Sequence, residues 1–433
     1  MIAFSGFNWE FGIVGLGLGG GVGPWFFAYF GAMRIAILSD PRNFHTQKWA
    51  LALQATGAEV VVMSYDPVPT NAAFHAIQLM PRSGVPGKYN YMDYVRGGKV
   101  LQDALVAERI EVVNPLNITP LGVWAMQSGF HPVVACAFGA DILEYPPSGK
   151  GPAGIGRGWE ATALNPGRWD RWKAALKRRY FRRKVAQALG YADFVTGDNQ
   201  YLVDCMADWF GTDQGKMAVL RWGVEPELFE AAVQGLEQVR RRFGIEPGQK
   251  VVLSPRGMKP IYQADIILEA FEELLRAGRS DAHFIMLGAG YQVAPEVSNC
   301  AQKLAKTFRN FRFETEAVSR EEMHALWLMT DVFISAPVYD GYSAALAEGR
   351  FVGAIPIVND IPANRELIRH GDNGWICKPF APTSLVHDLA QVLDHVTELR
   401  AKFAPVNRVW VTQHSLMSAN ARRFLELVQE RVL

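Results

Sequence analysis

The chain has 433 residues, of which 49% are hydrophobic and 12% aromatic, so it is long enough to bury two or three separate cores. Its 44 basic and 43 acidic side chains leave a net charge of +1, which gives no electrostatic argument for a nucleic-acid partner. The four cysteines have neither the spacing of a metal site nor that of a redox motif: Cys136, Cys205, Cys300 and Cys377. Scattered cysteines favour reduced thiols in a cytoplasmic protein, and we expect no metal site.

Residues 1–32 differ in composition from the rest of the chain. There is no charged residue from Phe11 to Ala32, and the centre from Gly15 to Gly23 is rich in glycine, which disfavours a helix. A membrane span or a signal peptide would fit the apolar content, but the segment has no positively charged start. We therefore interpret 1–32 as an apolar, glycine-rich extension ahead of the folded chain.

From Met33 onward, short buried strands alternate with helices. The predicted strands are 34–38, 60–64, 112–114, 133–137, 194–197 and 217–220 in the first half, and 251–255, 282–287, 311–313, 332–335 and 355–358 in the second. Strands that alternate with helices predict an α/β fold with two doubly wound domains. We place these domains at 33–222 and 223–407, followed by a C-terminal helical segment at 408–433.

The first strand, loop and helix predict one wall of a binding site. Met33-Arg-Ile-Ala-Ile-Leu-Ser-Asp is a buried strand that ends in a polar loop, and a helix follows from Gln47. Ligands of such β-α-β units normally lie beyond the carboxyl ends of the strands. We therefore expect His45 and Thr46 to face a cleft and to contact a substrate.

Two carboxylates, Asp340 and Glu348, lie eight residues apart across a Gly-Tyr-Ser turn that opens a helix. The turn and helix start, Gly341, Tyr342, Ser343 and Ala344, can offer unpaired N–H groups and a positive dipole end to a diphosphate. Glu348 can accept hydrogen bonds from ribose hydroxyls, and Asp340 from hydroxyls of a transferred sugar. The pattern fits a sugar-nucleotide site, although acidic residues at helix starts also serve as simple caps.

The chain downstream of the acid pair carries a family resemblance. Phe351-Val-Gly-Ala-Ile-Pro-Ile-Val, then Asn359-Asp-Ile-Pro-Ala-Asn-Arg-Glu and His370-Gly-Asp-Asn-Gly-Trp, resembles the C-terminal signature of family 4 glycosyltransferases. These are retaining enzymes of the GT-B fold, in which two Rossmann-like domains face each other across a cleft. The resemblance implies that the domain at 33–222 binds the acceptor, that the domain at 223–407 binds the nucleotide sugar, and that the last helix crosses back to the N-terminal domain.

The resemblance also implies roles for residues outside the acid pair. Arg256 and Lys259 follow a strand where the family holds the donor diphosphate with an arginine and a lysine, and such cations stabilise the charge that grows on the leaving group. In the common form of the family, the lysine lies closer to the following helix, at about the position of Tyr262 in this chain. Gly288, at the end of the next strand, is expected beside the nucleotide base.

In the acceptor half, Ala137-Phe-Gly-Ala-Asp resembles a family motif at the end of a strand. Gly139 would allow close approach of a ligand and Asp141 would present a carboxylate to the substrate. Two positions depart from the family. Asp340 stands where most members have glutamate, and Phe138 stands where many have a histidine near the donor sugar.

The resemblance implies a retaining transferase that moves a sugar from a UDP- or GDP-linked donor to an acceptor hydroxyl. It uses no metal and no cofactor beyond the nucleotide-sugar co-substrate, and the acceptor is a sugar or a lipid-linked precursor of a glycolipid or surface polysaccharide. The departures leave two alternatives open. One is a catalytically silent GT-B protein that binds or scaffolds, and the other is a nucleotide-sugar epimerase or hydrolase on the same fold.

A basic segment from Arg168 to Lys184 alternates cations with aromatic residues. Such a segment can form an amphipathic helix on an anionic membrane surface, which would suit a lipid-linked acceptor at the inner face of the cytoplasmic membrane. It can equally be an ordinary exposed helix face. Both interpretations remain open from the sequence.

Overall fold

The computed structural model describes residues 33–147, 168–288 and 295–433. The predicted extension at 1–32 lies outside these residues. The described chain forms two α/β halves, each built on parallel strands with helices packed against both faces. The predicted fold class, two doubly wound α/β domains, is confirmed.

The strands described in the N-terminal half are β1 Arg34–Leu38, β2 Glu59–Ser64, β3 His75–Gln78, β4 Val112–Pro115, β5 Val134–Ala137, β6 Phe194–Gly197 and β7 Met217–Val219. They form two parallel sheets with the orders β3-β2-β1-β4 and β5-β6-β7. An isolated parallel bridge between Val113 and Val133 joins the two sheets. Apolar residues dominate the central strands β1 and β2, as both faces of a parallel sheet require.

The strands described in the C-terminal half are β8 Lys250–Ser254, β9 Ala282–Leu287, β10 Phe311–Glu314, β11 Val332–Ser335, β12 Ile355–Asn359 and β13 Trp375–Cys377. They form one parallel sheet in the order β10-β9-β8-β11-β12-β13. The strand order reverses between β8 and β11, as it does between β1 and β4 in the other half. Ligands of open α/β sheets bind at such reversals, beyond the carboxyl ends of the strands.

The described helices are α1 Phe44–Gln54, α2 Tyr91–Arg96, α3 Gly98–Ala107, α4 Val123–Ser128, α5 Ala140–Leu143, α6 Arg168–Tyr191, α7 Gln200–Phe210, α8 Pro226–Ala232, α9 Leu236–Phe243, α10 Ala264–Arg276, α11 Pro295–Thr307, α12 Arg320–Met329, α13 Ala344–Val352, α14 Pro362–Leu367, α15 Pro382–Asp394, α16 Val396–His414 and α17 Met417–Arg431. Short helical turns lie at Ile118–Gly122, Gln214–Lys216, Val233–Gly235 and Pro260–Tyr262. In the described part of the chain, none of these helices combines the length and apolar character needed to cross a membrane.

The chain passes between the two halves at two adjacent places. Val224 and Leu416 form an isolated parallel bridge, so the outgoing and returning segments lie side by side. A Cβ atom at Gly223 would lie 2.0 Å from the Met417 backbone nitrogen, which explains the glycine there. The returning chain turns at Ser415, so the domain boundary that the sequence placed at 407/408 falls inside α16.

Candidate active site

A cavity of about 620 Å³ lies between the two halves, at the carboxyl ends of the strands of each half. Its N-terminal wall includes His45 and Thr46, and its C-terminal wall includes Arg256 and Asp340. His45 and Thr46 lie in the first turn of α1, which follows β1, while Arg256 and Asp340 follow β8 and β11. The cavity therefore occupies the strand-order reversal of each half, where a ligand is expected.

Arg256 is the centre of the C-terminal wall. Its Nη1 atom donates to Asp340 Oδ2 at 2.8 Å and to Ser343 Oγ at 2.7 Å. The guanidinium also lies over the ring of Tyr262, 4.3 Å from its centroid. A cation held by a carboxylate and an aromatic face keeps its position and its charge, both of which a phosphate site needs.

The loop at Gly341 to Ser343 leads into α13 next to this cation. The Ser343 side chain caps the helix by accepting a hydrogen bond from the Leu346 backbone N–H at 3.3 Å. Tyr342 also lines the cavity and donates its hydroxyl to Ser415 Oγ at 2.8 Å. Ala344, the first helical residue, lines the cavity. The helix N-terminus and Arg256 therefore present positive potential at one place.

Glu348 lies further into α13 and is not among the residues that line the cavity. Its Oε2 atom accepts a hydrogen bond from Trp327 Nε1 at 3.0 Å. Burial raises the pKa of this carboxyl, and the cation of Lys48 opposes the rise. Lys48 comes from α1 of the other half and bonds to Glu225 Oε2 at 3.0 Å. Both halves thus contribute charge around Glu348.

His45 and Thr46 line the N-terminal wall, as predicted. Burial, together with the cations of Lys48 and Arg256, lowers the pKa of His45 to about 4, so the ring is neutral near pH 7. The imidazole packs on Trp222 with 5.1 Å between ring centroids. The Thr46 hydroxyl is hydrogen bonded to Ser39 Oγ at 2.7 Å. Neither side chain carries charge into the cavity.

The two halves meet at Gly139 and Gly341. Gly139 has a φ of +105°, and a Cβ atom there would lie 2.7 Å from the Gly341 backbone nitrogen. A Cβ atom at Gly341 would lie 2.4 Å from Asp198 Oδ2. Both positions require glycine because backbone and a buried carboxyl meet there.

Two family models match most of the folded chain. The model described as Glycosyl transferase 4-like matches residues 34–156, and the model described as Glycosyl transferases group 1 matches residues 237–410. The chain belongs to the family 4 glycosyltransferases. A curated relative, N-acetyl-alpha-D-glucosaminyl L-malate synthase of Bacillus anthracis, is 20% identical over 161 residues. That alignment covers 36% of this chain and 40% of the relative, so it spans two fifths of the relative's length.

Solved structures resemble this glycosyltransferase along nearly its whole length. A glycosyltransferase from Rickettsia africae is 14% identical, with a TM-score of 0.67, and the match covers 93% of this chain and 99% of the other. A sucrose-phosphate synthase from Thermosynechococcus elongatus is 13% identical, with a TM-score of 0.70 and coverage of 92% and 98%. Anabaena HepE in complex with UDP and glucose is 13% identical, with a TM-score of 0.66 and coverage of 92% and 99%. These likenesses establish the GT-B fold.

The structure of the glycosyltransferase places Lys259 and Gly288 away from the cavity. Lys259 is exposed and immediately precedes the Pro260–Tyr262 turn, which directs Tyr262 to the cavity instead. Gly288 is buried against Phe313, whose ring would lie 2.5 Å from a Cβ atom there. Neither residue lines the cavity, and the diphosphate contact of Lys259 and the base contact of Gly288 stay predictions.

Asp141 has a structural position rather than the substrate-facing one expected from the sequence. Its Oδ2 atom accepts a hydrogen bond from the Ile118 backbone N–H at 2.8 Å, and its Oδ1 atom accepts one from Phe138 at 3.0 Å. Burial raises the pKa of this carboxyl to about 6, although the two hydrogen bonds act to lower it. The carboxyl therefore ties the loops after β4 and β5 together and does not line the cavity.

The sequence analysis missed Asp198, a buried carboxyl that does line the cavity. It directly follows β6 and accepts a hydrogen bond from the Tyr342 backbone N–H across the cleft. Burial raises its pKa well above the usual range, and the nearby carboxylate of Asp340 raises it further. Its position at a predicted strand end was the available signal, as it was for Asp40 and Asp66.

Proposed function

We propose that this protein is a retaining glycosyltransferase that moves a sugar from a UDP- or GDP-linked donor to an acceptor hydroxyl. The observation that carries the proposal is Arg256, bound to Asp340 and Ser343 at the start of α13 and facing the cavity. A cation and a helix N-terminus at one place favour a diphosphate. The UDP and glucose in the similar Anabaena structure support the same class of donor.

In the proposed reaction the bond between the anomeric carbon and the diphosphate oxygen breaks, and a bond to the acceptor oxygen forms on the same face of the sugar. The departing phosphate oxygen takes the acceptor proton, so no protein base is assigned. Arg256 and the α13 N-terminus stabilise the negative charge that develops on the leaving group. No metal and no further cofactor enters the proposed mechanism.

The remaining donor contacts are assigned to the two carboxylates of α13 and its loop. Asp340, at the lip of the cavity, holds hydroxyls of the transferred sugar. Glu348 accepts hydrogen bonds from the ribose, with the Trp327 indole fixing one of its oxygens. Lys48, which is 3% exposed, supplies a compensating charge from the opposite half.

The proposed acceptor is a sugar carried on a lipid, because one side of α6 packs next to the acceptor side of the cavity and its other side forms an exposed surface. Trp172, Leu176 and Tyr180 recur every four residues on α6 and are 55%, 47% and 41% exposed. The spacing places them on one helix face. The exposed cations Lys173 and Arg183 lie among them. This combination fits the interface of an anionic membrane at its cytoplasmic face.

The inner side of α6 lies next to the cavity. It packs against the Ile118–Gly122 turn, and Pro120 and Leu121 of that turn line the cavity. Arg182 is directed inward and donates to the Trp209 carbonyl at 2.6 Å, so it is not part of the exposed cationic face. A lipid-linked sugar could thus enter the cleft from the surface on which α6 lies.

The test is product analysis with a panel of UDP- and GDP-sugars and a mixture of sugar and lipid-linked acceptors. We expect a new glycoside whose anomeric configuration, read from the NMR coupling of its anomeric proton, equals that of the donor. Inverted configuration would overturn the retaining mechanism. Release of free sugar or an epimerised donor would favour the hydrolase or epimerase alternative, and binding without any turnover would favour a silent scaffold.

A further inference from the structure

The N-terminal wall of the cavity carries a set of acidic and amide groups that the donor site does not use. Asp40 follows β1, Asp66 follows β2, Asn117 follows β4 and Asp198 follows β6, and all four line the cavity. Because the carboxyl ends of parallel strands meet at one edge, the topology brings these groups together. They face the C-terminal wall that holds Arg256.

One cation serves two of these carboxylates. Arg42 donates from Nε to Asp40 Oδ1 at 3.0 Å and from Nη2 to Asp40 Oδ2 at 2.9 Å. The same Nη2 atom lies 2.6 Å from Asp66 Oδ1, which also accepts a hydrogen bond from the Tyr89 hydroxyl at 2.8 Å. Arg42 is not itself a lining residue. The group of Asp40, Asp66 and Arg42 therefore carries a net charge of about −1 near pH 7.

Asp198 adds an unsatisfied polar group to this wall. It is 2% exposed, and its Oδ1 atom has no hydrogen-bond partner among the described residues. A carboxyl with a raised pKa is favoured in its neutral form, which can donate as well as accept a hydrogen bond. A buried polar atom without a partner is destabilising, and a ligand hydroxyl in the cavity would satisfy it.

In the described chain, no lysine or arginine of this wall lines the cavity, and the nearby Arg42 is already bonded to Asp40 and Asp66. Among the described residues that line the cavity, Arg256 is the one lysine or arginine, and it lies on the donor side in contact with Asp340. His45 is neutral near pH 7 because burial lowers its pKa to about 4. A phosphate or carboxylate next to Asp40 and Asp66 would meet repulsion in a partly desolvated site.

We propose that the acceptor group entering this wall is an uncharged polyhydroxyl ring, a sugar or a cyclitol, and that phosphorylated or carboxylated rings are excluded. This inference rests on the proposed transferase function. Carboxylates and amides hold hydroxyls through several hydrogen bonds at once, which is how such groups select a neutral sugar. In a lipid-linked acceptor the requirement applies to the terminal ring, while its phosphate stays outside the cavity.

The first test measures ligand binding by saturation-transfer NMR in the presence of UDP. The probes are methyl α-glucoside, methyl α-mannoside and myo-inositol, each paired with a phosphate ester of the same ring. We expect neutral rings to bind at least ten times more tightly than their esters. Equal or tighter binding of the esters, or no binding of any neutral ring, would overturn the inference.

The second test reverses the charge of the wall. The double variant Asp40→Asn/Asp66→Asn leaves Arg42 without its carboxylates and changes the local charge from about −1 to about +1. Phosphate esters should then gain at least tenfold in affinity relative to the neutral rings. Asp103→Asn, which neutralises an exposed carboxylate on α3, is the matched control and should change the affinity of neither the phosphate esters nor the neutral rings. If the double variant does not fold, Asp40→Asn alone should give a smaller change in the same direction.

UDP affinity, measured in the same samples, separates this inference from the function on which it rests. If UDP binds and the esters bind as well as the neutral rings in both the native protein and the charge variant, the acceptor inference fails and the transferase proposal stands. If neither UDP nor GDP binds, the donor site itself is refuted.

Discussion

Glu348 is the residue whose assigned role depends most on charge. Substitution by glutamine keeps the size of the side chain and turns a charge-assisted hydrogen bond to ribose into a neutral one. We expect Glu348→Gln to weaken UDP or GDP binding by roughly 1.5–3 kcal/mol in calorimetry. Glu321→Gln, an exposed carboxylate on α12, is the control and should bind as the native protein does. Native affinity in Glu348→Gln would remove this residue from the site.

Asp340 and Arg256 are bonded to each other, yet their removal should give different defects. Asp340→Ala should lower turnover more than it weakens UDP binding, because UDP has no transferred sugar to lose. Arg256→Ala should weaken both UDP and the intact donor and slow transfer, because the diphosphate is common to both ligands. Calorimetry with each ligand and initial rates measure the pattern. Equal losses in both variants for both ligands would indicate simple disruption of the pair.

His324 makes stability depend on pH in a defined window. Burial lowers its pKa to about 4, against about 6.5 in an unfolded chain, so the unfolded state binds the proton more readily between these values. The free energy of unfolding should therefore fall as pH drops from 6.5 to 4. His324→Gln should remove up to about 3 kcal/mol of the difference between pH 7 and pH 4. His395→Gln, at an exposed ring, should leave that difference unchanged in urea titrations at both values.

The sequence could predict the site residues whose positions are determined by their neighbours in the chain. Asp340 and Ala344 were predicted because a helix start is a local pattern, and Arg256 because the segment after its strand resembles the family's diphosphate-binding loop. For Lys259 the sequence could not show which side chain enters the cavity, because the Pro260–Tyr262 turn brings Tyr262 and not Lys259 to its lining. Asp198 was missed because its contact with Gly341 exists only when the two halves meet.

The strands were predictable to the extent that they are buried. The apolar runs of β8 and β11 match their predicted positions within a residue or two, because both faces of a central strand need apolar side chains. β3 and β13 were not predicted. Both lie at sheet edges and are partly exposed, and both are short: β3 has four residues with polar ends, and β13 has three.

The exposed face of α6 allows the charged and apolar parts of membrane binding to be separated. Replacing Lys173, Arg179 and Arg183 by glutamine should weaken binding to phosphatidylglycerol vesicles by roughly 1 kcal/mol per cation at low salt and less at high salt. Replacing Trp172 and Leu176 by alanine should weaken binding at every salt concentration, because burial of apolar area is not screened. Vesicle sedimentation measures both.

A second triple variant controls for the total charge in this experiment. Arg241, Lys303 and Lys306 are exposed cations on α9 and α11 of the other half. Their replacement by glutamine removes the same charge at a distance from α6. If this control loses as much vesicle binding as the α6 variant, the net charge of the protein and not the α6 surface is responsible, and α6 is an ordinary exposed helix.

The shape of the cleft depends on how the two halves pack against each other. The two halves touch where Gly139 meets Gly341, and the crossing segments lie together where Gly223 meets Met417. At both places a side chain on the glycine would collide with backbone of the other segment. Sequence patterns give each half separately, because every strand and helix signal is local. The relative placement of the halves involves these close contacts, ion pairs such as Lys48–Glu225, and the returning C-terminal helix.

The returning helix α17 makes the N-terminal half depend on the end of the chain. Phe424 is fully buried and packs against Trp49 of α1 with 5.4 Å between ring centroids. Its side chain also joins the core that contains Ile35 and Val62 of the N-terminal sheet. Phe424→Ala should therefore lower the free energy of unfolding by about 3–5 kcal/mol, since the cavity left in this core cannot fully collapse.

The part of the chain that Phe424→Ala destabilises shows whether α17 is required by the N-terminal half or is a peripheral tail. Urea unfolding followed by tryptophan fluorescence gives the free energy, and limited proteolysis should show that cleavage within 33–147 is accelerated before cleavage within 250–390. Leu433→Ala, which truncates an exposed side chain just beyond α17, is the control and should have no effect. A loss below about 1 kcal/mol, or faster cleavage confined to the last helix, would show that the N-terminal half folds without α17.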